Sequence, residues 1–546
     1  MSSAGNGPTD PGLEFAPVEG AVRDPDDVDV LTQPEAEPGA PDPSATVDHP
    51  TTRGAVRSDR FLWLIVAGAA LLRFWRIGHQ KIWYDELVTT SVVQVRLTDV
   101  FRMVHWYEGS PPLYFYLEWG WIRVFGRGDA ALRSSSALMG TLTVVVVYAL
   151  LIELRQTRRV ARIGAALVAV QPMLIWYSQE ARAYAMFALL ASLTVLCLVR
   201  ALHRERPIDY LLWSLAAAAA FGTHYFAAFL LAPQALWLLR TFWPGRRWRD
   251  AAFAFVPVAL VGLPLLWLAS DQQGEKQDWI NDFPLTHRLT EGGRQFMLGP
   301  GEPAELLWVL ALVPIAYASY VLFRSPDRAE KTIALAMVGI MVTAMVLSLV
   351  ATPDYYLGRN VIGGLVLLAV PVALGLGSTR ARAGTVAAVA LCGVWLVASV
   401  WVTADDDLHK PDWEAVAHFL DREMADDSVV VFASNGYLAL PLRRYGLADA
   451  EFVGRKQTIR VQELNVVFFV AEPAEPSRCG RWAGRLCEIF LFPQFPDELK
   501  GQFGLSELLR VNGFQINRYR SKEPVRLQTD QLVANPRDAL VLQYDR

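Results

Sequence analysis

From Phe61 to Thr403 the chain is a succession of apolar runs separated by short polar breaks, and this pattern limits the fold more than any other feature. Crossing the hydrocarbon core of a bilayer takes roughly 20 apolar residues in helical form. Such runs occupy 61–77, 131–152, 160–177, 184–202, 209–222, 225–239, 251–269, 304–323, 332–351, 361–377 and 383–402. The expected fold is a polytopic α-helical membrane protein with about eleven transmembrane helices. The stretch 209–239 is short for two crossings around its Gly222-Thr223-His224 break. It reads as two short spans or as a re-entrant hairpin.

Charge supplies the sidedness. Basic clusters stand at Arg155/Arg158/Arg159/Arg162, Arg200/Arg204/Arg206, Arg240/Arg246/Arg247/Arg249, Arg324/Arg328/Lys331 and Arg380/Arg382. Short loops rich in Lys and Arg stay cytoplasmic, so these five share the inner side with Arg53/Arg57/Arg60. An even number of spans then lies between consecutive clusters. The N-terminal tail falls inside, and everything after residue 403 falls outside.

Three regions follow: a tail over 1–58, a membrane domain over 59–403 and a C-terminal extracytoplasmic domain over 404–546. Residues 1–50 carry nine Pro, eleven Asp or Glu and one basic residue, Arg23. That composition cannot bury enough apolar surface to offset its ordering entropy, so the tail is expected to be disordered. It lacks the basic and apolar regions of a cleaved signal peptide. The last region alternates apolar runs (SVVVFA at 428, NVVFFVA at 465, CEIFLF at 487) with helix-like stretches such as DWEAVAHFLDREM at 412, as a small α/β domain does. Cys479 and Cys487 are a candidate disulfide in this oxidising space, whereas Cys197 and Cys392 fall inside spans and pack as small apolar residues.

Several function classes are excluded. A net charge of -4 gives no footprint for nucleic acid. No Gly-rich phosphate loop supports nucleotide-driven transport. The eight His are scattered, with no HxxxH or CxxC, so no metal site is expected and no sequence motif supports a divalent cation or other cofactor. Asp405-Asp406-Asp407 reads as a solvated linker.

The informative residues lie in the outer loops. The longest early loop, 78–130, carries Trp83-Tyr84-Asp85-Glu86 just beyond the first span and Glu108 before Ser110-Pro111-Pro112. Much of it is apolar and aromatic, as for amphipathic helices lying along the interface. Adjacent acids at headgroup level are costly unless paired or used, so Asp85 and Glu86 either salt-bridge the loop or do chemistry. The short loop Tyr177–Tyr184 holds Glu180 and Arg182 at the membrane surface, as a structural pair or as a phosphate clamp. Later loops add Lys276, Arg294, Tyr355 and Arg359.

Taken together, the acidic pair, SPPLYFYLEWGWIRVFG, GDAALRSSSALMG and YSQEARAYA resemble the bacterial protein-mannosyltransferase-like and aminoarabinose-transferase-like glycosyltransferases of the GT-C superfamily (glycosyltransferase family 39 type). The likeness covers roughly 60–205 and continues weakly to YYLGRNVIGG, which is similar to the family's last-loop Arg motif. KPDWEAVAHFLDREMADDSVVVF resembles the start of the extracytoplasmic domain in such members. One position departs: many relatives carry His before the paired prolines, and here it is Ser110, so no role for a His transfers.

The resemblance implies an inverting transferase of the plasma membrane that takes a single sugar, mannose- or arabinose-like, from a polyprenyl-phosphate donor. The acceptor would be a hydroxyl on a glycan, lipid or protein at the outer face. It implies Asp85 as general base, with Glu86 beside it and Glu108 in reserve. Arg182 and Arg359, then Lys276 and Arg294, would hold the donor phosphate. Trp83, Tyr84, Tyr114, Glu180, Tyr184 and Tyr355 form the candidate substrate-binding set, with aromatic faces for the sugar and a barrier to water. The alternatives are a ligase moving a whole lipid-linked glycan, and a transporter or flippase, which would carry ionisable residues in mid-span.

Overall fold

A computed structural model describes residues 52–272, 280, 284–300, 304–351, 356–377, 382–410, 412–423, 428–432, 445, 451–452, 457–469, 499, 501–511, 514–528 and 540–544. The expectations for the tail up to residue 51, for Lys276 and Tyr355, for the strand at 487 and for the Cys479–Cys487 disulfide lie outside the described residues.

Among the described residues, seven helices are long and apolar enough to cross a membrane: Asp129–Glu153, Tyr184–Arg204, Trp248–Gln272, Glu305–Arg324, Arg328–Val350, Gly358–Gly377 and Arg382–Ala404. An eighth span results if Arg158–Val170 and Pro172–Ser178, bent by 56°, count as one. The chain is a multi-pass membrane protein. The other three apolar runs form helices of only 15, 17 and 16 residues, Arg60–Phe74, Pro207–Thr223 and Ala227–Phe242. At 1.5 Å per residue these reach roughly 23–26 Å, short of the hydrocarbon thickness. The expected eleven therefore becomes seven or eight by length. The first helix stops early because Arg76 adopts a left-handed conformation, φ 54°.

Three spans form the centre of the bundle: Asp129–Glu153, Tyr184–Arg204 and Gly358–Gly377 are 67%, 78% and 72% buried. The peripheral Trp248–Gln272 and Glu305–Arg324 instead expose Leu260, Trp267, Val313 and Phe323, a surface suited to lipid. Small residues bring helices together. A Cβ on Gly375 would sit 2.2 Å from the backbone oxygen of Ala318, so only glycine permits that approach.

The bend at Gln171-Pro172 accounts for a buried charge inside the first apolar helix. Proline cannot continue the hydrogen-bond ladder, so the last carbonyls of Arg158–Val170 lose their partners. Arg73 replaces them: Nη1 donates to Ala169 O at 2.8 Å and Nη2 to Val168 O at 3.0 Å. Across the break, the Gln171 side chain caps the next helix by accepting from Leu174 N at 2.7 Å.

The basic loops gather at one end of the bundle. Arg162 pairs with Asp59, Arg200 and Arg204 with Glu153, and Arg247 with Glu205. At the opposite end, the long loop folds into helices Tyr84–Val93, Leu97–Tyr107 and Leu113–Phe125. The middle one buries Val100 and Val104 while exposing Leu97, Phe101, Trp106 and Tyr107, the aromatic composition of a membrane interface.

Beyond Ala404 the described residues form helix Trp413–Glu423 and six strands: β1 (Ser428–Phe432), β2 (Glu451–Phe452), β3 (Thr458–Phe469), β4 (Gly504–Val511), β5 (Phe514–Gln528) and β6 (Leu540–Tyr544). They make one sheet in the order β2-β6-β1-β3-β5-β4, with only β1 and β3 parallel. The helix lays Trp413, Val416, Ala417 and Leu420 on Val430, Val467, Phe514 and Ile516. Val429, Val461, Leu464 and Leu527 build a second cluster with Leu499 and Phe503.

Candidate active site

Four carboxylates and four cations meet at the end of the bundle that carries the sheet. Asp85 and Glu86 sit in the first turn of Tyr84–Val93, where the helix dipole favours acids. They have different surroundings. Glu86 is fully buried and held in a fork by Arg133, whose Nε and Nη2 each donate at 2.6 Å. Ala181 N donates to the same carboxylate at 2.9 Å. Arg133 also gathers the approach to the acidic pair, donating to Ile77 O, Gln80 O and Lys81 O at 3.0, 2.6 and 3.1 Å. Burial alone would push the Glu86 carboxyl up, but Arg133, Lys410 and the backbone donor outweigh it and hold it at about 2.

Glu108 is engaged in the same way. Both its oxygens accept from the Arg182 guanidinium, at 2.5 and 3.0 Å. Arg182 donates further to Asp85 O at 3.2 Å and Thr89 Oγ1 at 3.3 Å, so this one side chain ties the Tyr177–Tyr184 loop to both acidic segments. Glu180 is buried and meets Lys410 Nζ at 2.9 Å, a close ion pair without hydrogen-bond alignment. Burial raises its carboxyl, helped by Glu86 and Asp85, against the pull of Lys410.

Asp85 remains. Its Oδ2 accepts from Arg359 Nη1 at 3.3 Å, Oδ1 accepts no hydrogen bond among the described residues, and 17% of the side chain is exposed. Of the four acids it alone combines an unengaged oxygen with access.

An aromatic wall lines the same place. The Arg359 guanidinium lies 5.9 Å from the Tyr184 ring, which packs 4.7 Å from Tyr177 and 5.8 Å from His224. His224 stacks on Phe187 at 4.8 Å. Burial first, then the nearby Arg182 and Arg359, push His224 down to about 3, so a neutral imidazole stands beside the cations.

The structure thus brings together Asp85, Glu86, Glu108, Glu180, Arg182, Arg359 and Tyr184. Trp83 and Tyr84 stand half-buried at the start of the acidic helix. Two other candidates sit differently. Tyr114 is buried with its hydroxyl unpartnered, so its ring has no open face for a sugar. Arg294 is turned to Glu305 at 3.8 Å, on a helix that packs beside the Arg359 turn.

The family model of dolichyl-phosphate-mannose-protein mannosyltransferases matches residues 109–269. Among solved structures, apo ArnT from Cupriavidus metallidurans aligns with a TM-score of 0.51 at 12% identity, over 84% of this chain and 97% of that one. Residues 109–269 thus match a glycosyltransferase family, and the chain shares the fold of ArnT. The same ArnT bound to undecaprenyl phosphate aligns at 0.49 and 12% identity over the same shares. The apo oligosaccharyltransferase of Archaeoglobus fulgidus aligns at 0.43 and 14%, over 67% of this chain and 58% of that one. No curated protein sequence matches.

The structural cations of this site carry no signal of their own in the sequence. Arg133 lies within GDAALRSSSALMG, where nothing local marks it as the partner of Glu86. Lys410, two residues past Leu408, reaches Glu180 between the rings of Trp83 (5.2 Å) and Trp176 (5.3 Å). Lys81 pairs with Glu414 at 2.5 Å and Ile82 N donates to Tyr445 at 3.0 Å, so the C-terminal segment grips the chain just before the acidic pair.

Glu118, beneath the site, is a fifth acid with a different state. It accepts from Ser135 Oγ at 2.5 Å, and burial pushes its carboxyl up to about 8. A buried acid with a raised value costs stability as pH climbs from 4.5 toward 8, by about 1.4 kcal/mol per unit. Glu118→Gln carries no such cost. Melting curves in detergent should show the variant gaining on the wild type as pH rises; parallel curves would contradict a neutral Glu118.

Proposed function

We propose that this glycosyltransferase moves a single sugar, mannose- or arabinose-like, from a polyprenyl-phosphate donor to an acceptor hydroxyl at the extracytoplasmic surface of the membrane. The observation that carries the reading is Asp85 beside Arg359 and Arg182, with the other three carboxylates neutralised by Arg133, Arg182 and Lys410. The matching family is named for a dolichyl-phosphate-linked mannose donor, which supports a lipid phosphate here.

In this mechanism the donor phosphate enters against Arg359 and Arg182. Arg359 turns from Asp85 to the phosphate, leaving the carboxylate free to accept a proton. The acceptor oxygen attacks the anomeric carbon, its proton passes to Asp85, and the bond from that carbon to the phosphate oxygen breaks with its electron pair leaving on the lipid phosphate. Attack from the opposite face inverts the configuration. The cations stabilise the charge that grows on the leaving group. The wall of Tyr177, Tyr184 and His224 excludes water that would hydrolyse the donor.

The test is transfer by the purified protein in lipid nanodiscs, with radiolabelled polyprenyl-phosphate mannose and arabinose offered to envelope glycan, lipid and protein fractions. Label should appear in one fraction, with release of polyprenyl phosphate. Transfer solely from a lipid diphosphate carrying a whole glycan would replace this reading with a ligase, and flux without product would replace it with a transporter.

A further inference from the structure

A second polar cluster lies outside the catalytic charges, where the linker leaves the membrane bundle. His79 follows the first apolar helix; Asp406 and His409 form the turn after Arg382–Ala404. One donor atom from each lies within 4.8 Å of the others. Asp406 Oδ1 stands 3.1 Å from His79 Nε2 and 3.3 Å from His409 Nδ1. Bonds of about 2.0–2.1 Å in a tetrahedron place zinc ligands roughly 3.3 Å apart, so two edges already have the required length.

The outer contacts of His409 suit a ligand role. His409 Nε2 lies 3.3 Å from Thr403 O, and a carbonyl can only accept. In the tautomer that donates Nε2–H to Thr403 O, His409 turns the lone pair of Nδ1 toward the Asp406 carboxylate. Nδ1 and that oxygen, 3.3 Å apart, are then placed to coordinate one cation together. A backbone carbonyl on the far nitrogen is also the usual outer support of a metal-bound imidazole. Arg76 now supplies positive charge there: Nη2 meets Asp406 Oδ1 at 3.3 Å and touches His79 Nε2, while Nη1 donates to Ala404 O at 3.2 Å. A metal ion would displace Nη2 and leave the Ala404 bond in place.

We propose that His79, Asp406 and His409 form a zinc-type divalent cation site that clamps the C-terminal linker to the end of the first apolar helix. The role is structural. The clamp closes a loop of more than 300 residues and ends one residue before Lys410, so it holds in place the segment whose ammonium neutralises Glu180. Water completes the fourth position.

The test uses the full chain, purified through a histidine-free tag, stripped with chelator and reloaded with ZnCl2. Elemental analysis after desalting should find about one zinc per chain, and added zinc should raise the melting temperature. The double variant His79→Gln/His409→Gln should match the metal-free wild type in size-exclusion profile and melting temperature. It should lose both the retained zinc and the shift. Zinc retained equally by wild type and variant, or no retained zinc and no shift in the wild type, overturns the site and leaves a hydrogen-bonded turn. Neither readout requires sugar transfer, so this result is separable from that of the proposed reaction.

Discussion

Asp85→Asn should reduce sugar transfer by about 10²–10⁴-fold, the usual contribution of a positioned general base. The amide is nearly isosteric and stays in the same helical turn, but it cannot take the acceptor's proton. Donor affinity should hold or improve, because Arg359 loses its carboxylate partner at 3.3 Å and offers its charge to the phosphate. Melting temperature should barely move, since Asp85 is the most accessible and least engaged of the four acids. The measurement is kcat and donor KM for purified protein in nanodiscs. A wild-type kcat would remove Asp85 from the mechanism. A kcat loss matched by an equal rise in KM would make it a binding residue instead.

Such a separation of roles was only partly legible in the sequence. The apolar segments were, because the bilayer requires runs of residues with no polar alternative. Their ends were not: Arg76 stops the first helix by a backbone conformation that hydropathy does not register. Arg73 contradicts the simple picture of charge-free spans, and its reason, the open carbonyls before Pro172, lies 95 residues away. Asp85 and Glu86 were recognisable as a pair, yet which of them is locked depends on Arg133, and no local spacing encodes that contact. The metal-type cluster was hidden for the same reason, since His79 and His409 belong to segments joined only by the fold. Strands β4 and β5 are not legible in the sequence, although Phe514, Ile516 and Arg518 alternate inward on β5. A buried Arg at an inward position, paired with Glu507 at 2.9 Å, conceals the period.

Arg133→Met tests the other half of the pair, and its effect should fall on folding. Removing one partner of a buried ion pair leaves the other uncompensated, at about 3–5 kcal/mol. Here Glu86 would keep Ala181 N, a long bond from Trp83 N at 3.5 Å and the more distant Lys410 charge, and three carbonyls of the 77–81 segment would lose their donor. The variant should accumulate poorly and melt well below the wild type. Replacing both partners, Glu86→Leu with Arg133→Met, should recover part of that loss because no charge remains buried. The pH dependence should also change sign. In the wild type Glu86 is held near 2, below its ordinary 4.5. Its contribution is therefore present above 4.5 and lost as pH falls from there toward 2. Without Arg133, burial dominates and lifts the Glu86 carboxyl above its ordinary 4.5, so the variant should gain stability as pH falls toward 4.5 and level off below it, where the wild type begins to lose stability. Melting curves at a series of pH values decide it. If wild type and variant lose stability in parallel on acidification, Arg133 is not what holds Glu86 ionised.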